Sequence, residues 1–265
     1  MKLFLPLICL VLISCFNEPE SKIVDDSIPE AILIEKKSPI EIDSNQLLID
    51  EIARNYITNS SVEEKLTQFG DTNKESIIKI YTNFGTMKFR LYSNTPLHRA
   101  NFILLAKKRF YDKTLFYRII KQFMIQGGNS DDDFLAARMS TIGGYLVPNE
   151  INKFNIHKKG ALAMAVPPSE QSFGKKSSAI NFYIIEGRKM SSTYFEQQAK
   201  KGKKFSTKAK EIYKKTGGAP HLDGNYTVFG ELISGMSVLN KITKVKTDKY
   251  DWPTRKVVID SIRAF

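Results

Sequence analysis

Cysteine is almost missing from this chain. Its 265 residues hold two, Cys9 and Cys15, and both fall within the first fifteen. That excludes a disulfide-stapled scaffold and a cysteine-rich zinc site over the rest of the length. Histidine is nearly as scarce. His98, His157 and His221 have no second ligand at metal-binding spacing, and no Gly-rich phosphate loop or hydrolase constellation accompanies them. Neither a metal nor a cofactor is therefore expected. Long apolar runs are missing as well, since the longest, Leu3 to Ile13, is too short to cross a bilayer as a mature helix. Acidic residues are the minority, 28 against 40 Lys and Arg.

What is present begins with that apolar run. It follows Lys2 and reads as a signal peptide over residues 1–14. It closes on Leu12-Ile13-Ser14-Cys15, which resembles the bacterial lipobox. Cleavage before Cys15 would leave that residue lipidated and the chain anchored to a membrane at the cell envelope. Cys9 would be lost with the leader, so no intrachain disulfide could form. Residues 15–43 are rich in Glu, Asp, Ser and Pro and suit an extended tether. Residues 44–75 read as a helical extension, with a helix from Ser44 to about Thr58 that places Leu47, Leu48, Ile52 and Tyr56 at helical spacing. The charge is uneven: 16–75 carries 6 basic against 14 acidic residues, and 188–220 carries 10 against 2. An exported chain meets little nucleic acid, so a solvated lysine-rich surface is expected for the basic stretch and no nucleic-acid partner.

With 42% hydrophobic residues the chain can fill one sizeable core. From Glu75 onward the pattern turns to short, β-branched strands. Ile77 to Tyr81 and Met87 to Leu91 flank Asn83-Phe84-Gly85 as a hairpin. Further strands are expected at Phe116–Ile120, Met124–Gln126, Gly160–Val166, Phe182–Glu186, Thr227–Glu231 and Lys256–Ile262. Pro96 opens one helix that ends at Lys107-Lys108-Arg109, and Gly235 to Ile242 forms another. Many short strands without βαβ alternation predict a mainly β fold over 76–265, a closed or nearly closed antiparallel eight-stranded barrel capped by two helices. Residues 188–220 interrupt it as a partly helical insertion, with Thr193-x-x-Glu196 as its capping box and Gly217-Gly218 as its stop.

The chemistry concentrates in Phe116-Tyr117-Arg118-Ile119-Ile120-Lys121-Gln122-Phe123-Met124-Ile125-Gln126-Gly127-Gly128. It sets one cation, Arg118, and one amide, Gln126, among large apolar side chains. A buried unpaired cation is costly, so Arg118 has either a functional purpose or a stem packed at a barrel rim with its head in water. Residues alone leave both open.

This string resembles the signature of the cyclophilin family of peptidyl-prolyl cis-trans isomerases. The likeness continues through Gly160 to Ala165, Ala179 to Ile184, Leu222-Asp223-Gly224 and Val228-Phe229-Gly230, in family order from about Ile77 to Phe265. The resemblance implies a monomeric enzyme for proline-containing polypeptides that assists folding of exported proteins. Its catalytic residues would be Arg118, as donor to the twisting prolyl nitrogen, and Gln126, which helps hold it. Phe123, Met124, Tyr183 and Leu222 would form the proline pocket with Phe229 beneath, and Ala165 and Asn181 the adjoining groove. Several positions depart from the best-known members: Tyr117 and Tyr226 stand where histidines are common, Asn181 for a glutamine and Tyr183 for a phenylalanine. His221, also expected among the substrate-binding residues, takes the place of a tryptophan, which implies weakened cyclosporin binding. A catalytically weak prolyl-peptide binder or scaffold is the alternative.

Overall fold

The computed structural model describes residues 56–129 and 134–265. Ten strands run β1 (Ile77–Thr82), β2 (Gly85–Leu91), β3 (Thr114–Ile120), β4 (Met124–Asn129), β5 (Leu146–Val147), β6 (Ala161–Met164), β7 (Ser177–Ser178), β8 (Phe182–Ile185), β9 (Val228–Ser234) and β10 (Val258–Ala264). Eight of them close a barrel in the order β1-β10-β3-β4-β8-β6-β9-β2, every pairing antiparallel. β5 and β7 pair separately. The eight expected barrel strands are all present, with ends shifted by a few residues.

The described residues also form helices α1 (Val62–Thr72), α2 (Pro96–Lys107), α3 (Phe134–Ile142), α4 (Ser192–Lys200), α5 (Thr207–Lys215) and α6 (Met236–Ile242), with short 3-10 turns at Pro168–Glu170 and Pro220–Leu222. α2 and α6 bury Phe102, Ile103, Leu105, Leu239 and Ile242 in the same core that the barrel fills with Ile80, Phe89, Phe116 and Phe182. Thr95 makes no side-chain cap for α2. A carboxylate from a distant loop replaces it: Glu150 accepts from the Leu97 and His98 N–H groups, each at 2.9 Å, which satisfies donors the first turn cannot.

The helix expected at 44–58 falls outside the described residues except for 56–58, which are not helical. α1 lies further along, packs against α2 and contributes Val62 and Leu66 to the core. In the insertion the cap is Ser191 and not Thr193, because the Ser191 hydroxyl accepts from the Tyr194 N–H at 3.1 Å and Thr193 already lies inside α4. α5 then ends at Lys215, just before the Gly217-Gly218 pair.

Candidate active site

β3 and β4 pair so that Arg118 stands opposite Gln126. Both line a cavity of about 260 Å³. Of the expected pocket residues, Phe123, Met124, Ala165, Tyr183 and Leu222 line it too. Val166, Pro168, Gln171 and Tyr226 complete the wall, and only Tyr226 had stood out in the sequence.

Strand alternation decides which residues reach the cavity. Met124, Ala163, Tyr183 and Val228 form a small apolar cluster outside the barrel core, with Phe123, Ala165 and Leu222 packed on it. Their neighbours Ile125, Leu162, Phe182 and Phe229 point to the interior. Phe229 does not line the cavity itself. It is fully buried in the barrel, its ring 5.2 Å from Phe102 and 6.1 Å from His98, and Val228 has the outward place. Asn181 and His221 also stay off the cavity lining. The Asn181 main chain is fixed by Ser178 and Ala165, and its Oδ1 is buried with no partner. His221 packs its ring 5.2 Å from Phe123.

Arg118 is half-exposed, its side chain at 45%. It is thus not a buried orphan cation. Its Nε donates to Asp251 Oδ2 at 3.2 Å, the one ion pair it makes among the described residues. Gln126 does not hold it: the amide Nε2 donates instead to the Tyr117 hydroxyl. Tyr117 in turn lies against Trp252, with ring centroids 6.2 Å apart. Asp251 and Trp252 belong to a turn that is itself tied down. Asp248 Oδ1 accepts from the Tyr250 and Trp252 N–H groups, and the Asp251 carbonyl accepts from the Ile119 N–H at 2.9 Å. Asp251 has φ 67°, the left-handed region that Asp tolerates better than most residues.

The additional hydroxyl of Tyr183 does not narrow the cavity. It lies 3.0 Å from His157 Nε2, behind the ring that faces the pocket. His157 is fully buried, and its Nδ1 sits 2.8 Å from Asp223 Oδ1. A carboxylate can only accept, so Nδ1 carries the proton and Nε2 accepts from Tyr183. Burial pushes His157 below its ordinary value despite the opposing bond to Asp223, so the imidazole is neutral. Burial likewise drives the Tyr183 phenol well up, which keeps its proton in place for that bond.

On the other side, the Phe123 carbonyl accepts from the Glu186 and Gly187 N–H groups, both at 3.0 Å, and this fixes the turn before β4. The result is an apolar niche with one cationic donor on its wall and no paired nucleophile and base. Such a site can hold a small ring and polarise an adjoining amide nitrogen.

Comparison with known proteins gives this arrangement its context. The family model described as cyclophilin type peptidyl-prolyl cis-trans isomerase/CLD matches residues 77–264. A Staphylococcus aureus (strain USA300) protein named "Putative peptidyl-prolyl cis-trans isomerase" is 32% identical over 186 residues, 70% of this chain and 89% of that one. A Streptococcus pyogenes serotype M6 protein, "Putative bifunctional phosphatase/peptidyl-prolyl cis-trans isomerase", is 34% identical over 191 residues, 71% of this chain and 38% of its own. Among solved structures, a Cryptosporidium parvum cyclophilin type isomerase crystallised in the presence of the dipeptide Ala-Pro aligns with a TM-score of 0.51. It is 25% identical and covers 71% of this chain and 98% of its own. The barrel, the cavity beside Arg118 and the family match over the whole barrel agree, and this chain belongs to the cyclophilin-type peptidyl-prolyl cis-trans isomerases.

Proposed function

We propose that this isomerase acts as a monomer on proline-containing polypeptides at a bacterial cell envelope, tethered by acyl chains on Cys15, with Arg118 as its central catalytic residue. The observation that carries the reading is Arg118 beside an apolar niche lined by Met124, Tyr183 and Leu222. A prolyl amide resists rotation by roughly 18–20 kcal/mol through the double-bond character of C–N. When the bond twists, the nitrogen lone pair localises. A fixed guanidinium donating to that nitrogen binds the twisted state better than either planar one. The chemistry needs no metal and no covalent intermediate. The Ala-Pro dipeptide used with the Cryptosporidium protein is a ligand of the expected class. The envelope address rests on the leader that ends at Ser14-Cys15 and on the acidic tether behind it.

The test is prolyl cis-trans exchange measured by NMR on a tetrapeptide. Arg118→Ala should lower kcat/KM by about 10²–10³, as for loss of a preorganised donor. An unchanged rate would overturn the assignment of Arg118. A second reading, a weakly active prolyl-peptide binder, draws on Asn181, which stays off the cavity lining. A binder would shift peptide resonances without accelerating exchange. For the anchor, Cys15→Ala should move the protein from the membrane to the soluble fraction.

A further inference from the structure

The 188–220 insertion lies behind the prolyl cavity: none of its residues lines the cavity, yet it is bonded to the segment that supplies Leu222. It leaves the barrel at Gly187 and returns at Gly218, where the two backbones nearly touch. A Cβ on Gly187 would lie 2.4 Å from the Gly218 Cα, and one on Gly218 would lie 2.3 Å from the His157 carbonyl oxygen and 2.5 Å from the Tyr213 ring. Between these glycines α4 and α5 pack Phe195, Ala209 and Tyr213 into a core of their own.

Two side chains of the insertion, Tyr213 and Lys203, make three hydrogen bonds to the segment Pro220–Asp223. The Tyr213 hydroxyl, on α5, donates to Asp223 Oδ2 at 2.7 Å. Lys203, between the two helices, donates from Nζ to the carbonyls of Pro220 at 3.0 Å and His221 at 3.1 Å. The segment they grip is the 3-10 turn Pro220–Leu222 together with Asp223, and Leu222 is a cavity residue. Asp223 Oδ1 meanwhile accepts from both the main-chain N–H and Nδ1 of His157, whose Nε2 accepts from Tyr183. The donors all run toward one carboxylate: Tyr183 to His157 to Asp223 from the cavity, and Tyr213 to Asp223 from the insertion. Asp223 is only 17% exposed, so water is a poor substitute for a lost donor. If Tyr213 lets go, the carboxylate turns to find another partner and carries His157 and the Tyr183 ring with it.

We propose that the insertion is a positioning element for the prolyl cavity. It acts through Tyr213 on the Asp223–His157–Tyr183 chain and through Lys203 on the turn that carries Leu222. Neither Tyr213 nor Lys203 lines the cavity, so both act through other residues. The inference rests on the isomerase reading above and can fail separately from it.

The experiment uses the full chain with Tyr213→Phe, Lys203→Met, Tyr183→Phe and the Tyr213→Phe/Tyr183→Phe pair, and Arg118→Ala as the control. Steady-state kcat and KM on a prolyl tetrapeptide are measured beside the ¹⁵N ring signals of His157. Tyr213→Phe and Lys203→Met should each raise KM about 3- to 10-fold, the range one hydrogen bond supplies, with kcat less affected because the Arg118 donor is untouched. The paired variant should be no worse than its more severe parent, since the chain is already cut. The His157 ring should change from the pure Nδ1-protonated form to a mixture in Tyr213→Phe. KM within two-fold of wild type in both Tyr213→Phe and Lys203→Met, or effects of Tyr213→Phe and Tyr183→Phe that multiply, would overturn the proposal. If Tyr213→Phe fails to fold, Lys203→Met decides alone. A wild-type rate in Arg118→Ala would count against the donor assignment and not against the insertion.

Discussion

Replacing Asp251 separates two effects that its carboxylate has on Arg118. The Nε–Oδ2 contact fixes the guanidinium, and its negative charge also weakens the cation as a donor. Both partners are exposed by more than a third, so the pair contributes only about 0.2–1 kcal/mol to stability. Freed, Arg118 must be ordered again in the twisted state, at a cost of up to about 1.5–2 kcal/mol. Removing a unit charge some 4 Å away in a water-like medium returns about 1 kcal/mol of donor strength. Ordering outweighs charge, and Asp251→Gly should lower kcat/KM about 2- to 5-fold. Glycine is the right probe because it adopts φ 67° freely and keeps the turn. Asp251→Asn tolerates the same φ and keeps an acceptor while losing the charge, so its rate should stay level or rise by up to about 5-fold. Exchange rates by NMR and Tm by calorimetry, with Tm held within about 4 °C, measure both variants. An Asp251→Gly enzyme as fast as wild type, or an Asp251→Asn enzyme as slow as Asp251→Gly, refutes the reasoning.

Gly218→Ala forces a methyl to within 2.3 Å of the His157 carbonyl at φ 154°, and should destabilise the protein by at least about 2 kcal/mol in urea unfolding; an unchanged midpoint would show that the insertion root gives way easily. His157 titrates below its ordinary 6.5, held down by burial, while the unfolded chain takes its proton near that value. Stability tied to this residue is therefore complete above about pH 6.5 and declines as the pH falls below it. The groups facing it, Asp223, Tyr183 and the nearby Lys203 ammonium, leave that sign intact. A urea midpoint no lower at pH 5.5 than at 7.5 would contradict it. His221 in the place of a tryptophan predicts weak cyclosporin binding, and nanomolar affinity by calorimetry would refute that.

Patterns of period two made the barrel legible, because each strand sends alternate residues into one core. The same periodicity defines the pocket, where parity separates two adjacent apolar residues: Val228 joins the outer cluster and Phe229 fills the barrel. β5 and β7, two residues each, are too short to carry any pattern. Arg118 and Gln126 could be singled out as polar residues in apolar strands. Their partners could not, since Asp251 lies 133 positions from Arg118 in an irregular turn without periodicity. Tyr183 posed a readable question, a hydroxyl in need of a partner, and His157 answers it from 26 residues away. At Ser191 and Thr193 two good caps stand within one turn, and only the fold selects between them.

The barrel's seam has a consequence for how the chain reaches its folded state. β1 is hydrogen-bonded to β10, so the first strand stays half-paired until the last, some 180 residues later, arrives beside it. Closure at so large a sequence separation is slow, and it cannot precede the emergence of Val258–Ala264 from whatever channel delivers them. Until β10 docks, β1 and β3 both present open edges to the surroundings. A nascent chain of this topology thus remains threadable until its final strand is released, and snaps shut only afterwards.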